Sequence, residues 1–201
     1  MSKDWTGNKN SIFKTLGASN HTDKERQSED YYATDPIAAE LLLKEETFCN
    51  KIWECASGEN HLANVFKKNG YTVRTSDIIK RTEETEVYDF LSPENVQWDG
   101  DIITNPPYKM ATDFIYKSLD IINKGNKVAM FLKIQFLEGK ERKKLFTKFP
   151  PKVVYVSSSR IMCAKNGDFE DMIAGGGSAV AYAWYIWEKG YTGDTIIKWI
   201  N

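Results

Sequence analysis

Cysteine and histidine are scarce in this chain. Three cysteines, Cys49, Cys55 and Cys163, and two histidines, His21 and His61, occur among 201 residues. No two cysteines stand in a Cys-x-x-Cys pair and their number is odd, so no disulfide framework is expected and a reducing compartment fits. So few soft ligands also argue against zinc, and no metal site is expected. Long apolar runs are missing as well. The longest, Ala179 to Trp187, is about half of what a membrane span needs. Met1 to Trp5 lacks the apolar core of a signal peptide. A cytoplasmic protein without a membrane partner is therefore expected. The formal charge is only −1, from 27 Lys+Arg against 28 Asp+Glu. That excludes a uniformly basic nucleic-acid coat while leaving room for a local basic patch. No internal repeat is visible.

What is present suits one compact domain. Hydrophobic residues make up 41% and aromatics 13%, enough for a substantial core at this length. Residues 1–30 read as a polar arm, with Trp5, Ile12, Phe13 and Leu16 as the sizeable apolar groups. Residues 31–201 read as the globular domain. Thr34-Asp35-Pro36 offers a capping oxygen and a first-turn proline for a helix carrying Ile37, Leu41 and Leu42. Strand and helix then alternate. Lys51 to Ala56 is a strand, His61 to Lys68 a helix closed by Asn69-Gly70, and Tyr71 to Ile78 a strand. Asp101 to Thr104 is a short buried strand, and Met110 to Ile122 a helix. Lys127 to Phe136 is a strand, Lys140 to Phe149 a basic helix, and Lys152 to Ser157 a strand. An aromatic strand pair, Ala179 to Trp187 and Thr195 to Trp199, ends the chain. This alternation predicts β-α-β units and a mainly parallel sheet with helices on both faces. Ligands of such sheets bind at the carboxyl ends of the strands.

The most informative residues sit on that edge. Asn105-Pro106-Pro107-Tyr108 follows the buried strand directly. Two prolines fix φ and remove two N–H donors, which leaves backbone carbonyls near Asn105 and Pro106 to accept bonds. Asn105 adds a side-chain acceptor and Tyr108 a flat ring. The set suits a planar amide or aromatic amine whose NH₂ donates two hydrogen bonds. At the end of the first sheet strand, Glu54-Cys55-Ala56-Ser57-Gly58-Glu59-Asn60 is a small-residue turn that lets a ligand approach the backbone. Asp77 ends the next strand, where an acid reaches ribose hydroxyls in doubly wound nucleotide sites. Asp89-Phe90 follows within a run of glutamates.

Asn105 to Tyr108 resembles motif IV of the S-adenosylmethionine-dependent amino-methyltransferases. The turn from Glu54 resembles their motif I, with Asn60 where a glycine is usual. Asp30 to Pro36, with Tyr32 and Thr34, resembles motif X, which contacts the methionine end of the cofactor. The likeness runs from about residue 29 to residue 190 and is greatest to small phage-type DNA N6-adenine methyltransferases. Ala181 to Tyr191 looks like their penultimate strand. The resemblance implies a Rossmann-like class I methyltransferase fold: a seven-stranded, mostly parallel sheet with an antiparallel last strand. It implies S-adenosylmethionine as cofactor, held by Tyr32, Thr34, Glu54, Ala56, Ser57, Gly58, Asp77, Asp89, Phe90 and Asn105. Asn105, Pro106, Pro107 and Tyr108 would be catalytic, with Asn105 and the Pro106 carbonyl on the target amine and Tyr108 stacked on the base.

A base inside a duplex must flip out to reach such a pocket. Lys109, Lys140, Arg142, Lys143, Arg160 and Lys165 are the expected phosphate contacts. Gly175-Gly176-Gly177 lies in a late loop, Arg160 to Gly177, on the expected target side. The chain ends at Asn201 soon after the last strand, so no separate target-recognition domain is evident. Readout is then expected from loops, the arm or a partner, in a monomer or weak dimer. RNA adenine and a protein glutamine amide are alternative targets for the same pocket. A catalytically silent nucleic-acid-binding module with this fold is a third reading.

Overall fold

The structure is a computed structural model that describes residues 31–94, 96–165, 167, 169–170 and 180–201. The arm of residues 1–30 and the Gly175 to Gly177 part of the late loop lie outside the described residues.

Among the described residues, strands and α-helices follow in the order β1 (Tyr32–Thr34), α1 (Ile37–Glu45), β2 (Lys51–Glu54), α2 (His61–Lys68), β3 (Thr72–Asp77), β4 (Glu86–Val87), β5 (Asp101–Thr104), α3 (Ala111–Ile121), β6 (Lys127–Lys133), α4 (Lys140–Lys148), β7 (Val153–Ser157), β8 (Cys163–Lys165), β9 (Tyr182–Glu188) and β10 (Ile196–Ile200). Eight strands form the main sheet in the order β10-β7-β9-β6-β5-β2-β3-β4, and β1 pairs with β8 in a separate ladder.

Side chains alternate between the two faces, as the pleat requires. Ile52, Ile103, Ala129, Phe131, Tyr155 and Trp184 face one core with α1 and α2. Trp53, Ile102, Val128, Met130, Val154 and Tyr185 face the other with α3 and Leu145 of α4. Helices thus cover both faces, as the β-α-β alternation predicts. Trp184 is fully buried, packs on Phe131 at 5.0 Å between ring centroids and donates its indole N–H to the Ala38 carbonyl at 2.8 Å. Trp184→Ala is expected to cost about 3–5 kcal/mol, read as a lowered urea midpoint at an unchanged slope.

The sheet differs from the sequence expectation in three respects. It has eight strands rather than seven, because the two-residue β4 extends it beyond β3. The antiparallel strand is the penultimate one, β9, which lies between β6 and β7. The last strand, β10, is parallel to β7 at the sheet edge. β9 and β10 are consequently not paired with each other, and both flank β7. Burial agrees with these positions: β9 is covered on both faces, whereas β10 is exposed along most of its length. The capping oxygen expected from Thr34-Asp35-Pro36 comes from Asp35, whose Oδ1 accepts the Ile37 N–H at 3.0 Å, while Thr34 lies in β1. One local feature also differs: the strand from Lys127 stops at Lys133 and turns into a 3₁₀ segment, Ile134–Leu137.

Candidate active site at the carboxyl ends of the strands

The parallel strands β2, β3 and β5 all deliver their carboxyl ends to one side. Between them, β1 and the Asp89 turn lies a cavity of about 840 Å³. β2 brings Glu54, Ala56 and Ser57, and β3 brings Asp77. Asp89 and Phe90 come from the loop before β5, while Asn105, Pro106, Pro107, Tyr108 and Lys109 follow it. Tyr32 and Thr34 of β1 close the opposite wall. Most of the cofactor and catalytic positions picked from sequence therefore share one cavity.

The turn after β2 takes its shape from two left-handed residues. Gly58 has φ +52°, and a Cβ there would collide with the Tyr31 ring. Asn60 has φ 66°, a conformation asparagine adopts more readily than most residues. Its side chain holds it there: Nδ2 donates to Thr82 Oγ1 at 2.7 Å, and Oδ1 accepts from Thr85 Oγ1 at 3.3 Å. Asparagine thus serves in this turn where the resemblance led one to expect glycine. Asp77 braces the same turn, with Oδ2 accepting the Gly58 N–H at 2.9 Å and Oδ1 the Ile79 N–H at 3.1 Å. Each carboxylate oxygen retains a second lone pair. Asp89 Oδ1 accepts the Leu91 N–H at 2.9 Å, and Phe90 is buried against Trp53 and Phe114.

Three buried oxygens in the cavity wall lack a hydrogen-bond partner among the described residues, Glu54 Oε2, Ser57 Oγ and Asn105 Oδ1. Glu54 is 2% exposed. Burial pushes its carboxyl well above the ordinary carboxylate range, and the neighbouring Asp77 charge pushes it the same way. A backbone hydrogen bond from Ala63 and the Lys67 charge act the other way without overcoming burial, and the Lys67 ammonium pairs with Glu84 at 2.6 Å. An unpaired buried acid and an unpaired buried carbonyl are costly. Both fit a ligand that brings a cation to Glu54 and an N–H donor to Asn105.

The Asn105 carboxamide has a defined orientation. Nδ2 donates to Thr34 Oγ1 at 2.8 Å and lies 3.4 Å from the Tyr32 carbonyl. A backbone carbonyl only accepts, so the amide nitrogen must face β1 and the oxygen must face away from it. The Tyr108 ring lies 6.4 Å from Tyr32 and 6.1 Å from Tyr182 between centroids. The Lys133 ammonium sits 4.9 Å from the Tyr108 centroid, and the Tyr108 hydroxyl meets Cys163 Sγ at 3.7 Å. Burial raises the Tyr108 phenol well above its usual range and the Cys163 thiol to about 11. Both groups stay protonated at neutral pH.

The candidate phosphate contacts are more dispersed. Lys109 is exposed at the cavity rim, and Lys140, Lys143 and Arg160 are exposed elsewhere. Arg142 is engaged locally: Nη1 donates to the Gln135 and Glu138 carbonyls at 2.9 Å each, and the guanidinium lies 4.6 Å from the Phe136 ring centroid. Its nearest task is to hold the turn before α4. Lys165 lies in β8, and its side chain is outside the described residues.

Several cavity residues were not singled out from sequence. Tyr31, His61, Ile78, Ile79 and Arg81 line it. Ile78 is 62% exposed, and an apolar residue directly after Asp77 was a readable signal for a ring-packing surface. Arg81 lies 4.3 Å from the Tyr31 ring centroid with a buried, unpartnered Nε; its spacing carries no comparable signal. Cys163 and Lys133 reach Asn105 and Tyr108 only through the tertiary fold.

No protein-family model and no curated protein matches the sequence. Solved structures do match. One is a Listeria monocytogenes protein provisionally assigned as a class I S-adenosylmethionine-dependent methyltransferase, with TM-score 0.54 and 14% identity over 81% of this chain and 62% of that one. Another is a provisionally assigned RNA methyltransferase from Pyrococcus horikoshii, with TM-score 0.54 and 14% identity over 90% and 99% of the two chains. A third is a modification subunit of a provisionally assigned type I restriction enzyme from Vibrio vulnificus, with TM-score 0.52 and 12% identity over 86% and 47%. The chain has the Rossmann-like class I methyltransferase fold. Its cavity lies where that fold places ligands, at the carboxyl ends of the strands.

Proposed function

We propose that this chain is an S-adenosylmethionine-dependent methyltransferase acting on the exocyclic N6 amine of adenine in DNA. The observation that carries the reading is the buried, unpartnered Asn105 Oδ1, held toward the cavity by Thr34 and Tyr32 at the carboxyl end of β5. An acceptor fixed in this way selects a donor, and an amine supplies one.

The residues present fit the cofactor. Glu54, with Oε2 unpartnered among the described residues, offers a buried carboxyl that a cationic end would ionise. Tyr32, Ala56, Ser57 and Gly58 would shape the methionine and ribose side, Asp77 would serve the ribose hydroxyls, and Asp89 and Phe90 the adenine ring. When bound, S-adenosylmethionine supplies an electrophilic methyl group on a sulfonium.

The chain's own part is to prepare the nucleophile. The lone pair of an aromatic amine is delocalised into its ring. Asn105 Oδ1 and the Pro106 carbonyl accept its two hydrogens out of the ring plane, which favours a pyramidal nitrogen with a localised pair. Pro106 and Pro107 keep that backbone from rearranging. Tyr108, wedged between Tyr32 and Tyr182, gives the base a rigid surface to stack on. Positioning and electrostatics do the work. Neither the Cys163 thiol nor the Tyr108 phenol serves as a base, since burial keeps both neutral. Lys109, Lys140, Lys143, Arg160 and Lys165 are the proposed phosphate contacts. Arg142 is left out because its Nη1 already serves two carbonyls.

The likeness to a restriction modification subunit supports a DNA substrate, and the likeness to an RNA methyltransferase keeps RNA as the second reading. The test is mass spectrometry of nucleosides from unmethylated DNA treated with protein and methyl-labelled cofactor. Labelled N6-methyl-2′-deoxyadenosine is expected. Label in RNA or in protein glutamine alone moves the substrate, and absence of both label and cofactor binding overturns the enzyme reading.

A further inference from the structure

A primary carboxamide is nearly symmetric in shape, and its two edges are opposite in chemistry. With Oδ1 toward the cavity, Asn105 accepts hydrogens from an amine. Turned by 180°, it would present an NH₂ that favours a carbonyl and opposes an amine. What holds the side chain one way round therefore decides which functional group the site takes.

The contacts that do so come from the small β1–β8 ladder, which lies outside the main sheet. Tyr32 pairs with Lys165, Ala33 with Ala164 and Thr34 with Cys163. The Asp35 N–H extends the join to the Met162 carbonyl at 3.0 Å. Thr34 Oγ1 accepts from Asn105 Nδ2 at 2.8 Å. To accept there, the hydroxyl must direct its own hydrogen elsewhere, and Cys163 is its cross-strand partner in the ladder. The Cys163 sulfur receives the Tyr108 hydroxyl at 3.7 Å and lies 4.0 Å from Asn105 Nδ2. Cys163 is 1% exposed and so remains a neutral, weak acceptor that takes the Tyr108 hydroxyl and backs the amide nitrogen at the limit of contact.

We infer that Thr34 is a positioning residue, backed by Cys163, that locks the Asn105 carboxamide with its oxygen toward the target and thereby makes the site selective for an amine. This inference rests on the amine-methylating reading for its consequence and on geometry alone for the lock itself. It also gives the late segment a task. β8 holds β1, and β1 holds Asn105, so a substrate that displaces the Arg160 to Lys165 stretch changes the target pocket directly.

The test uses the full chain with Thr34→Val, which keeps the shape and removes the hydroxyl, and Thr34→Ser, which restores it. Two readouts are needed. The first is the ¹⁵N side-chain amide signal of Asn105, assigned by its loss in Asn105→Asp. In the unaltered protein and in Thr34→Ser its protons are expected to be protected from exchange. In Thr34→Val protection falls by about tenfold or more, the loss of one good buried hydrogen bond. The second is single-turnover methyl transfer beside cofactor affinity measured by calorimetry. Thr34→Val is expected to slow turnover about tenfold or more, leave cofactor affinity within a few-fold, and be rescued by Thr34→Ser. Unchanged amide protection in Thr34→Val overturns the lock. An equal loss of cofactor affinity and rate overturns it too, and returns Thr34 to the cofactor. If the unaltered protein transfers no methyl group while the amide readout behaves as stated, the lock stands and the reaction assignment fails.

Discussion

Asn105→Ala slows methyl transfer by on the order of a hundredfold to a thousandfold, while cofactor affinity stays within a few-fold. The split follows from where the oxygen is aimed. Asn105 Oδ1 is buried and unpartnered, whereas Nδ2 is held by Thr34 and the Tyr32 carbonyl. Removing the side chain deletes the acceptor that prepares the amine and leaves Glu54, Asp77 and the Gly58 turn in place. Single-turnover kinetics beside calorimetry with the cofactor reads both quantities. Parallel loss of rate and affinity would place Asn105 on the cofactor instead of the target. Asn105→Asp sharpens the result. It keeps an acceptor but turns a carboxylate toward the Tyr32 carbonyl, where a donor stood, so it too is expected to be slow.

The sequence made some of this legible and hid the rest for identifiable reasons. Asp101–Thr104 and His61–Lys68 read correctly to the residue, because each is bounded by strong punctuation: Asn105-Pro106-Pro107 after the strand and Asn69-Gly70 after the helix. Cavity-lining residues such as Glu54, Asp77 and Asn105 were recoverable because each stands at a strand's carboxyl end, and the parallel sheet brings those ends together. Strand direction was not recoverable. Within Tyr182–Glu188 the residues up to Trp187 are aromatic or aliphatic because they are covered on both faces, and burial of that kind is the same for parallel and antiparallel neighbours. That is how the antiparallel strand came to be assigned to the chain's end rather than to β9. Thr34 reads as a cofactor contact through the resemblance. Its partner Asn105 is 71 positions away, and no local pattern reports such a contact. Cys163 was hidden for the same reason. Its three-residue strand is too short to show a period, and its value lies in what it touches.

Glu54→Gln is expected to stabilise the protein and impair it at once. The Glu54 carboxyl is held well above the ordinary value of 4.5 by burial and by the Asp77 charge. Below about pH 4.5 the folded and unfolded chains both carry it protonated, so the group makes no difference to stability. As pH rises past that value the unfolded chain ionises freely and the folded chain does not, so stability is lost until the folded pKa is passed. Glutamine removes this loss. The melting temperature of Glu54→Gln should match the unaltered protein near pH 4 and exceed it increasingly toward neutral pH, by a margin corresponding to about 1–3 kcal/mol. Affinity for the cofactor should move the other way. A buried acid whose Oε2 has no partner among the described residues is expected to ionise against a cationic ligand, and removing one partner of a buried charge pair costs about 2 kcal/mol or more, roughly thirtyfold in affinity. Thermal melts across pH and calorimetry on the same sample measure the two effects. A variant with unaltered affinity and no pH-dependent gain in stability would show that Glu54 is an ordinary buried acid with a partner of its own. The expected pair of opposite changes would have a single cause under the proposed function: an acid at the end of β2 whose pair is completed by the ligand and not by the protein.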